Sequence, residues 1–283
     1  MRLCRFTSTG KDTLAVENSN QNRISAMSKY DELPFKIPRE SPDYQISSDY
    51  VIQSIEDIVR QAIETGKNEI ILNTNLRKGL PMENINKIAG PIVEAWAAEL
   101  FEEIASDGEN QWSLIHAEAC PRLGMSDIIL QFQKKTTLGT VVTANVDSKA
   151  TAEDLETSGK KPNITSFARI RSAYVQDADF LFVVLSLKHR VYCRKNSQTG
   201  LVDGVMEIVR YNAYDMKYIS DADLFYNPSL GTGQIQIKDI HYVSKVVRTA
   251  WEFCRVLDAK FLSSGKRTFE DWLELATQYH WIK

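Results

Sequence analysis

The chain has 283 residues and a net charge of −3, and 43% of its residues are apolar while 25% are charged. This composition is typical of a globular protein and excludes fibrous and intrinsically disordered proteins. The longest apolar runs, such as residues 180–187, are far shorter than the ~18 residues of a membrane span, and residues 1–25 contain no apolar signal segment. We therefore expect a cytoplasmic protein without a membrane anchor.

The N-terminal region differs in composition from the rest of the chain. The first 40 or so residues are rich in Ser, Asn, Thr and charged side chains and close with Pro34, Pro38 and Pro42. This pattern predicts a loosely ordered arm over residues 1–40 and a single domain over residues 41–283. Met1 and Met27 both remain candidate starts of the chain, since denser sequence follows directly after Met27.

Apolar residues recur with helical spacing in three parts of the chain. The first predicted helix begins at Asp49, a plausible N-cap, and stops at Gly66, and the second follows Pro91, which suits a first turn. Residues 243–254 have the same spacing near the C-terminus. Residues 268–271 resemble a capping box that opens a last short helix.

The centre of the chain changes to the alternating pattern of β-strands. Residues 127–133 and 139–147 predict two strands, and the polar connection between them predicts an antiparallel hairpin. Residues 179–187 and 205–211 predict two more strands. Helices before and after a central mixed sheet predict one α/β domain.

Charged residues converge at one end of the predicted hairpin. If the hairpin turns about residue 137, Asp127 lies directly opposite Asp147, and Lys149 follows two residues later on the same face. Adjacent carboxylates persist most readily with a cation between them, and such oxygen ligands suit Mg²⁺. That ion can activate water and neutralise charge on a phosphodiester, while Lys149 can orient the water or stabilise the phosphorus. A third acid, Glu94, lies among small and apolar residues of the second predicted helix.

A simpler interpretation stays open for each of these residues. Asp127 could cap a strand, and Asp147 and Lys149 could form an exposed ion pair, because such residues are abundant on surfaces. Glu94 could be a rim residue with its carboxylate in water.

Glu94, Ser126-Asp127 and the Asp147-Ser148-Lys149 run together resemble the PD-(D/E)xK pattern of nucleases, with Ser126 in the place of the proline. Over residues 88–192 the chain is similar to type II restriction endonucleases of the HincII and EcoRV branch. The resemblance implies a restriction-endonuclease-like fold with a five-stranded mixed sheet flanked by helices, and a homodimer that cuts duplex DNA with Mg²⁺ and leaves 5′-phosphate ends. It also implies that the three acids hold one or two metal ions and that Lys149 assists the attacking water.

A basic stretch follows the predicted site. Residues 160–210 contain nine lysines and arginines against four acids, which favours contacts with DNA phosphates, although a solvated face remains an alternative. A turn-rich loop at residues 227–236 is a second candidate, with an ordinary hairpin turn as its alternative. The residues predicted to contact DNA are Lys160, Lys161, Asn163, Thr165, Ser166, Arg169, Arg171, Lys188, Arg190, Thr232 and Gln234.

The rest of the sequence narrows the functional alternatives. Residues 265–267 lack the glycine spacing of a P-loop, so we expect no nucleotide cofactor. Two rival functions remain open at this point: a repair or recombination nuclease of the same fold that cuts by DNA structure, and a non-catalytic protein that binds DNA or a partner.

Overall fold

The computed structural model describes residues 28–81, 85–121, 124–133 and 140–283. In these residues a six-stranded sheet lies between two groups of helices, beside a smaller three-stranded sheet. No helix of this part of the chain is long and apolar enough to span a membrane. In chain order the elements are α1 Tyr44–Glu64, β1 Glu69–Leu72, α2 Ala89–Ser106, β2 Leu114–Ala119, β3 Ile128–Gln133, β4 Val141–Ala152, β5 Asn163–Ser166, α3 Phe167–Gln176, β6 Leu181–Lys195, β7 Val202–Asp215, β8 Leu224–Asn227, β9 Gln234–Ile237, α4 Ala250–Leu262 and α5 Phe269–Gln278.

The large sheet has the strand order β1-β7-β6-β4-β3-β2, and the small sheet has the order β5-β9-β8. Strands β4 and β6 are parallel, whereas all other paired neighbours are antiparallel. A parallel pair needs a long crossover, and residues 153–180, which contain β5 and α3, supply it. The predicted α/β class with a central mixed sheet is confirmed, with six strands in place of the five that the resemblance implied.

Each face of the large sheet carries its own hydrophobic core. Helices α1 and α2 cover one face, and α3, α4 and α5 cover the other. Successive residues of β6 serve the two cores in turn, because Val183 and Leu185 belong to the first core and Phe182 and Val184 to the second. This explains why β6 begins as an uninterrupted apolar run, the pattern of a strand that is buried on both faces.

The first helix begins earlier than predicted. α1 starts at Tyr44 after Asp43, so the expected N-cap Asp49 lies inside the helix. Ser48 is buried in this first part and donates a hydrogen bond to Asp215 Oδ2 at 2.7 Å. Polar residues before Asp49 therefore belong to the buried face of the helix. The predicted stop near Gly66 and the second helix, with Pro91 in its first turn, are confirmed.

The C-terminal prediction is correct for one helix and partly wrong for the other. α4 begins only at Ala250 after the N-cap Thr249, and the preceding segment is not helical, since Val246 N donates to Tyr218 O at 2.8 Å. α5 begins with the expected capping box of Thr268 and Asp271.

Residues 28–40, which belong to the predicted loose arm, pack against the second core. Tyr30 is buried, and the ring of Phe35 lies 4.9 Å from that of Trp251. The remainder of the predicted arm, residues 1–27, and the predicted hairpin connection, residues 134–139, lie outside the described residues.

Candidate active site

The β3–β4 hairpin has the predicted register. Ile128 pairs with Val146, and Asp127 N donates to Val146 O at 2.9 Å, so Asp127 and Asp147 occupy neighbouring positions at the end of the hairpin. The registered pairing with β3 stops here, whereas β4 continues to Ala152. Past this point Ser148 N donates to Asp127 Oδ2 at 2.8 Å, so the Asp127 carboxylate occupies the place that another strand residue would take.

Asp147 is a buried carboxylate with few partners. It is 5% exposed, and its Oδ2 lies 2.6 Å from Lys149 Nζ. Apart from this ion pair, no hydrogen bond from the described residues reaches that oxygen. Burial raises the pKa of Asp147 to about 7, with repulsion from Asp127 and Glu94 adding to the shift and Lys149 opposing it. A solvated surface pair, the simpler interpretation of this residue, is therefore excluded.

Glu94 approaches the same group from α2. Its side chain is partly buried, which raises its pKa, and the charge of Asp127 raises the pKa further while Lys149 lowers it. The charges of Glu94, Asp127 and Lys149 thus all act on Asp147, although Glu94 and Lys149 are 55 residues apart in the sequence. The structure therefore brings Asp127, Asp147 and Lys149 together at the end of the hairpin, and the charge of Glu94 acts on Asp147. The predicted roles of these four residues in metal binding and catalysis stay a prediction.

The donor set fits a hard divalent cation. Two carboxylates lie side by side, and one of them is buried with too little positive charge nearby to keep an ordinary pKa. In the part of the chain that the structure describes, no three His, Cys, Asp or Glu side chains are grouped as a ready metal site. Mg²⁺ is usually bound through one or two carboxylates, with water and substrate phosphate completing its octahedron, so the pair is sufficient.

The two aspartates lie in an open groove. Its walls come from the small sheet, from the start of α3 and from the turn between β8 and β9. Five residues predicted to contact DNA line this groove together with Asp127 and Asp147: Thr165, Ser166, Arg169, Thr232 and Gln234. The groove also contains Gly231 of the candidate loop, and Leu230 and Tyr279, which were not among the predicted DNA contacts. The alternative of an ordinary hairpin turn is correct for residues 228–233, but this turn is also part of the groove.

Three further predicted residues lie on the small sheet or beside it. Lys160 is exposed and forms an ion pair with Asp239, and Lys161 lies over the ring of Phe225 at 5.1 Å. Asn163 is exposed on β5 and accepts a hydrogen bond from Gln236 at 2.9 Å. Lys160, Lys161 and Asn163 are not among the lining residues of the groove, but they remain on the surface.

Lys188 and Arg190 follow the core section of β6. Lys188 is the register partner of Thr151, beyond Lys149 on β4. Arg190 lies six residues after Val184, the partner of Asp147, which is about 20 Å along a strand. It forms an ion pair with Glu207 at 2.9 Å. The position of Arg190 therefore separates it from the carboxylates.

Arg171 contradicts the prediction of a DNA contact. Its side chain is 0% exposed, bonds to Asp258 at 3.1 Å and lies 5.1 Å from the ring of Trp281. The nine basic residues of the stretch lie within residues 160–210. Three of them, Lys160, Arg171 and Arg194, form ion pairs with acids from outside this range. Folding therefore reduces the positive charge that the stretch offers to DNA.

Comparison with known proteins gives two findings for this chain. Residues 31–280 match the model of the family described as type II restriction endonuclease HpaI. The chain is also 56% identical, over 255 residues, to the type II restriction enzyme HpaI of Haemophilus parainfluenzae, an alignment that covers 90% of this chain and 99% of that enzyme. Type II restriction enzymes act on double-stranded DNA and generally use a divalent metal ion. This chain belongs to the HpaI family of type II restriction endonucleases.

Proposed function

We propose that this chain hydrolyses phosphodiester bonds at a specific sequence of duplex DNA, with Mg²⁺ held by Asp127 and Asp147. The observation that carries the proposal is that these two carboxylates line an open groove and that Lys149 Nζ pairs with one of them. We also assign the site to the PD-(D/E)xK class, because Ser126-Asp127 and Asp147-Ser148-Lys149 stand at the end of one hairpin, in keeping with the resemblance to the HincII and EcoRV branch.

Each residue of the site has a distinct role in this proposal. Mg²⁺, when bound, supplies the charge that activates water and neutralises the phosphate. Asp127 is oriented by the Ser148 N–H, and Asp147 offers a second oxygen ligand beside it. Lys149 Nζ, within reach of Asp147, orients the attacking water or stabilises the charge that develops at phosphorus. Glu94 supports the site through water, through Lys149 or through a second metal ion.

The groove residues supply the DNA contacts. Arg169 can neutralise a phosphate, and the hydroxyls of Thr165, Ser166 and Thr232 and the amide of Gln234 can bond to phosphates or base edges. Binding would then weaken as the salt concentration rises. We further propose that the chain acts as a homodimer, since a two-fold protein matches a palindromic duplex site, and that it acts in the cytoplasm, without a nucleotide cofactor.

A plasmid digest with Mg²⁺ tests the function, with the expected result being discrete fragments. Asp147→Ala and Lys149→Ala should abolish cleavage and leave DNA affinity nearly intact. Asp57→Ala and Lys67→Ala are matched controls, because Asp57 and Lys67 form surface ion pairs with Arg60 and Glu103. An Asp147 or Lys149 variant that still cuts would refute the assigned roles. A smear would support a structure-specific nuclease, and DNA binding without any effect of Mg²⁺ would support a non-catalytic protein.

A further inference from the structure

An arginine outside the groove is hydrogen-bonded to one groove wall. Arg267, in the segment between α4 and α5, donates from Nη2 to Gly231 O at 2.6 Å and to Pro228 O at 3.2 Å. Its Nε donates to Tyr226 Oη at 3.1 Å. A single guanidinium therefore connects two carbonyl groups of the turn 228–233, those of Pro228 and Gly231, with Tyr226 of β8.

The same turn is held from two other directions. Tyr226 Oη donates to Thr232 O at 2.9 Å, and the hydroxyls of Thr232 and Ser166 lie 2.9 Å apart. Gly233 has φ +89°, and a Cβ at this position would lie 2.2 Å from the Tyr226 ring, so the ring fills the space that the glycine leaves. The turn is thus attached to the start of α3 as well as to Arg267.

The turn that these bonds hold in place carries an exposed apolar side chain. Leu230 is 58% exposed at the turn, beside Gly231 and Thr232 in the groove. An apolar side chain on a rigid turn is suited to contact with a base face or a thymine methyl group. A flexible turn could instead adapt to a wrong base pair, and the discrimination between sequences would be lost.

We propose that Arg267 is a positioning residue for sequence discrimination, which holds the turn 228–233 so that Leu230, Thr232 and Gln234 meet DNA in one arrangement. The inference depends on the proposed function of the groove. Arg267 is partly buried and directs three hydrogen bonds into the protein, and only the planar fork of an arginine can make these bonds together.

The test compares cleavage of the preferred site with cleavage of sites that carry one altered base pair. The variants are Arg267→Lys, which retains the charge but loses the fork, and Tyr226→Phe, which retains the ring but loses the hydroxyl. Arg255→Lys is the matched control, because Arg255 pairs with Asp31 on the exposed side of α4. The measured quantity is the ratio of kcat/KM between the preferred and the altered sites, with the melting temperature followed in parallel.

Arg267→Lys should lower this ratio about tenfold, which corresponds to one weakened base contact. Tyr226→Phe should lower it by less, about threefold, because it removes the two hydrogen bonds of the hydroxyl but leaves the bonds from Arg267 to Pro228 and Gly231 in place. In the double variant, the ratio should be less than threefold lower than in Arg267→Lys alone. The two effects do not add fully because Arg267 and Tyr226 belong to one hydrogen-bond network. The control should retain the wild-type ratio. If Arg267→Lys does not fold, Tyr226→Phe carries the test.

An unchanged ratio in both variants overturns the inference. A uniform loss of cleavage at all sites together with a lower melting temperature also overturns it, since this is the result of a purely structural role. In both cases the proposed function stands as long as the wild-type protein produces discrete fragments. A wild-type protein that produces none contradicts the proposed function itself, which distinguishes the two failures.

Discussion

Asp147 and Asp258 are both withdrawn from water, with 5% and 0% of their surfaces exposed, but their surroundings differ greatly. Asp258 accepts hydrogen bonds from the Arg171 guanidinium at 3.1 Å, from Tyr30 Oη at 2.6 Å and from Trp272 Nε1 at 3.0 Å. Asp147 has one cation, Lys149, and two acidic neighbours.

This difference distinguishes a buried charge that is fully hydrogen-bonded from one that is not. A buried charge is stable when donors surround it and costly when they do not. Asp258 has donors on both oxygens and joins three parts of the second core. Asp147 lacks that supply, and burial raises its pKa to about 7. The deficiency of positive charge at Asp147 is what a divalent cation would remove.

The largest expected effect is the difference in the free energy of unfolding between a variant of Asp258 and a variant of Asp147. Asp258→Ala should lower the free energy of unfolding by about 3–5 kcal/mol, because it leaves the buried Arg171 without its counter-charge. Asp147→Asn, measured with a chelator, should leave the stability unchanged or increase it. Urea denaturation of both variants at neutral pH provides the comparison. A loss for Asp147→Asn as large as that for Asp258→Ala would contradict it.

The pH dependence of stability should reveal Asp147 in the metal-free protein. Its folded pKa of about 7 lies above the unfolded value of about 3.9. The folded state therefore holds more protons between these values, and stability falls as pH rises through that window, by up to about 1.4 kcal/mol per pH unit from this group.

Mg²⁺ should consequently raise the melting temperature more at pH 8 than at pH 5. Asp147→Asn should remove both this difference and the contribution of the group to the pH slope, whereas Asp57→Asn, at a surface ion pair, should change neither. An equal effect of Mg²⁺ in the wild-type protein and in Asp147→Asn would exclude Asp147 as a ligand.

The smallest expected effect on the free energy of unfolding comes from removing one of the hydrogen-bond donors to Asp258. Tyr30→Phe removes one donor while Arg171 and Trp272 remain bonded to the carboxylate, so the expected loss is about 1 kcal/mol. Thermal or urea unfolding measures it, with Tyr242→Phe as a control, because Tyr242 is 74% exposed. A loss of unfolding free energy as large as that of Asp258→Ala would show that the Tyr30 hydrogen bond, rather than the ion pair with Arg171, provides most of the stabilisation.

The β3–β4 hairpin was predictable because local alternation and turn position fix its register. The pairing of Ile128 with Val146 follows from two strands and one connection, and it brings Asp127 and Asp147 together. Glu94 was predictable for a different reason, namely its position on the small and apolar face of α2. In each case the decisive information lies within one or two adjacent elements.

Long-range contacts account for what sequence reasoning missed. The partner of Arg171 lies 87 residues away, so a count of local charge could not identify it as a buried ion pair. β5, β8 and β9 have four residues each, which is too short for a clear alternating pattern. The part of the groove around Leu230 therefore had no signal beyond its turn residues.

The parallel pairing of β4 and β6 has a consequence for how enzymes of this kind could diverge. The crossover that it requires leaves the sheet after Ala152, three residues beyond Lys149, and supplies one groove wall, Thr165 to Arg169, before the chain enters β6. The Asp147–Lys149 segment and this groove wall are thus consecutive along the chain. An insertion or deletion between Ala152 and Asn163 would shift the wall along the duplex while the carboxylates stay in place.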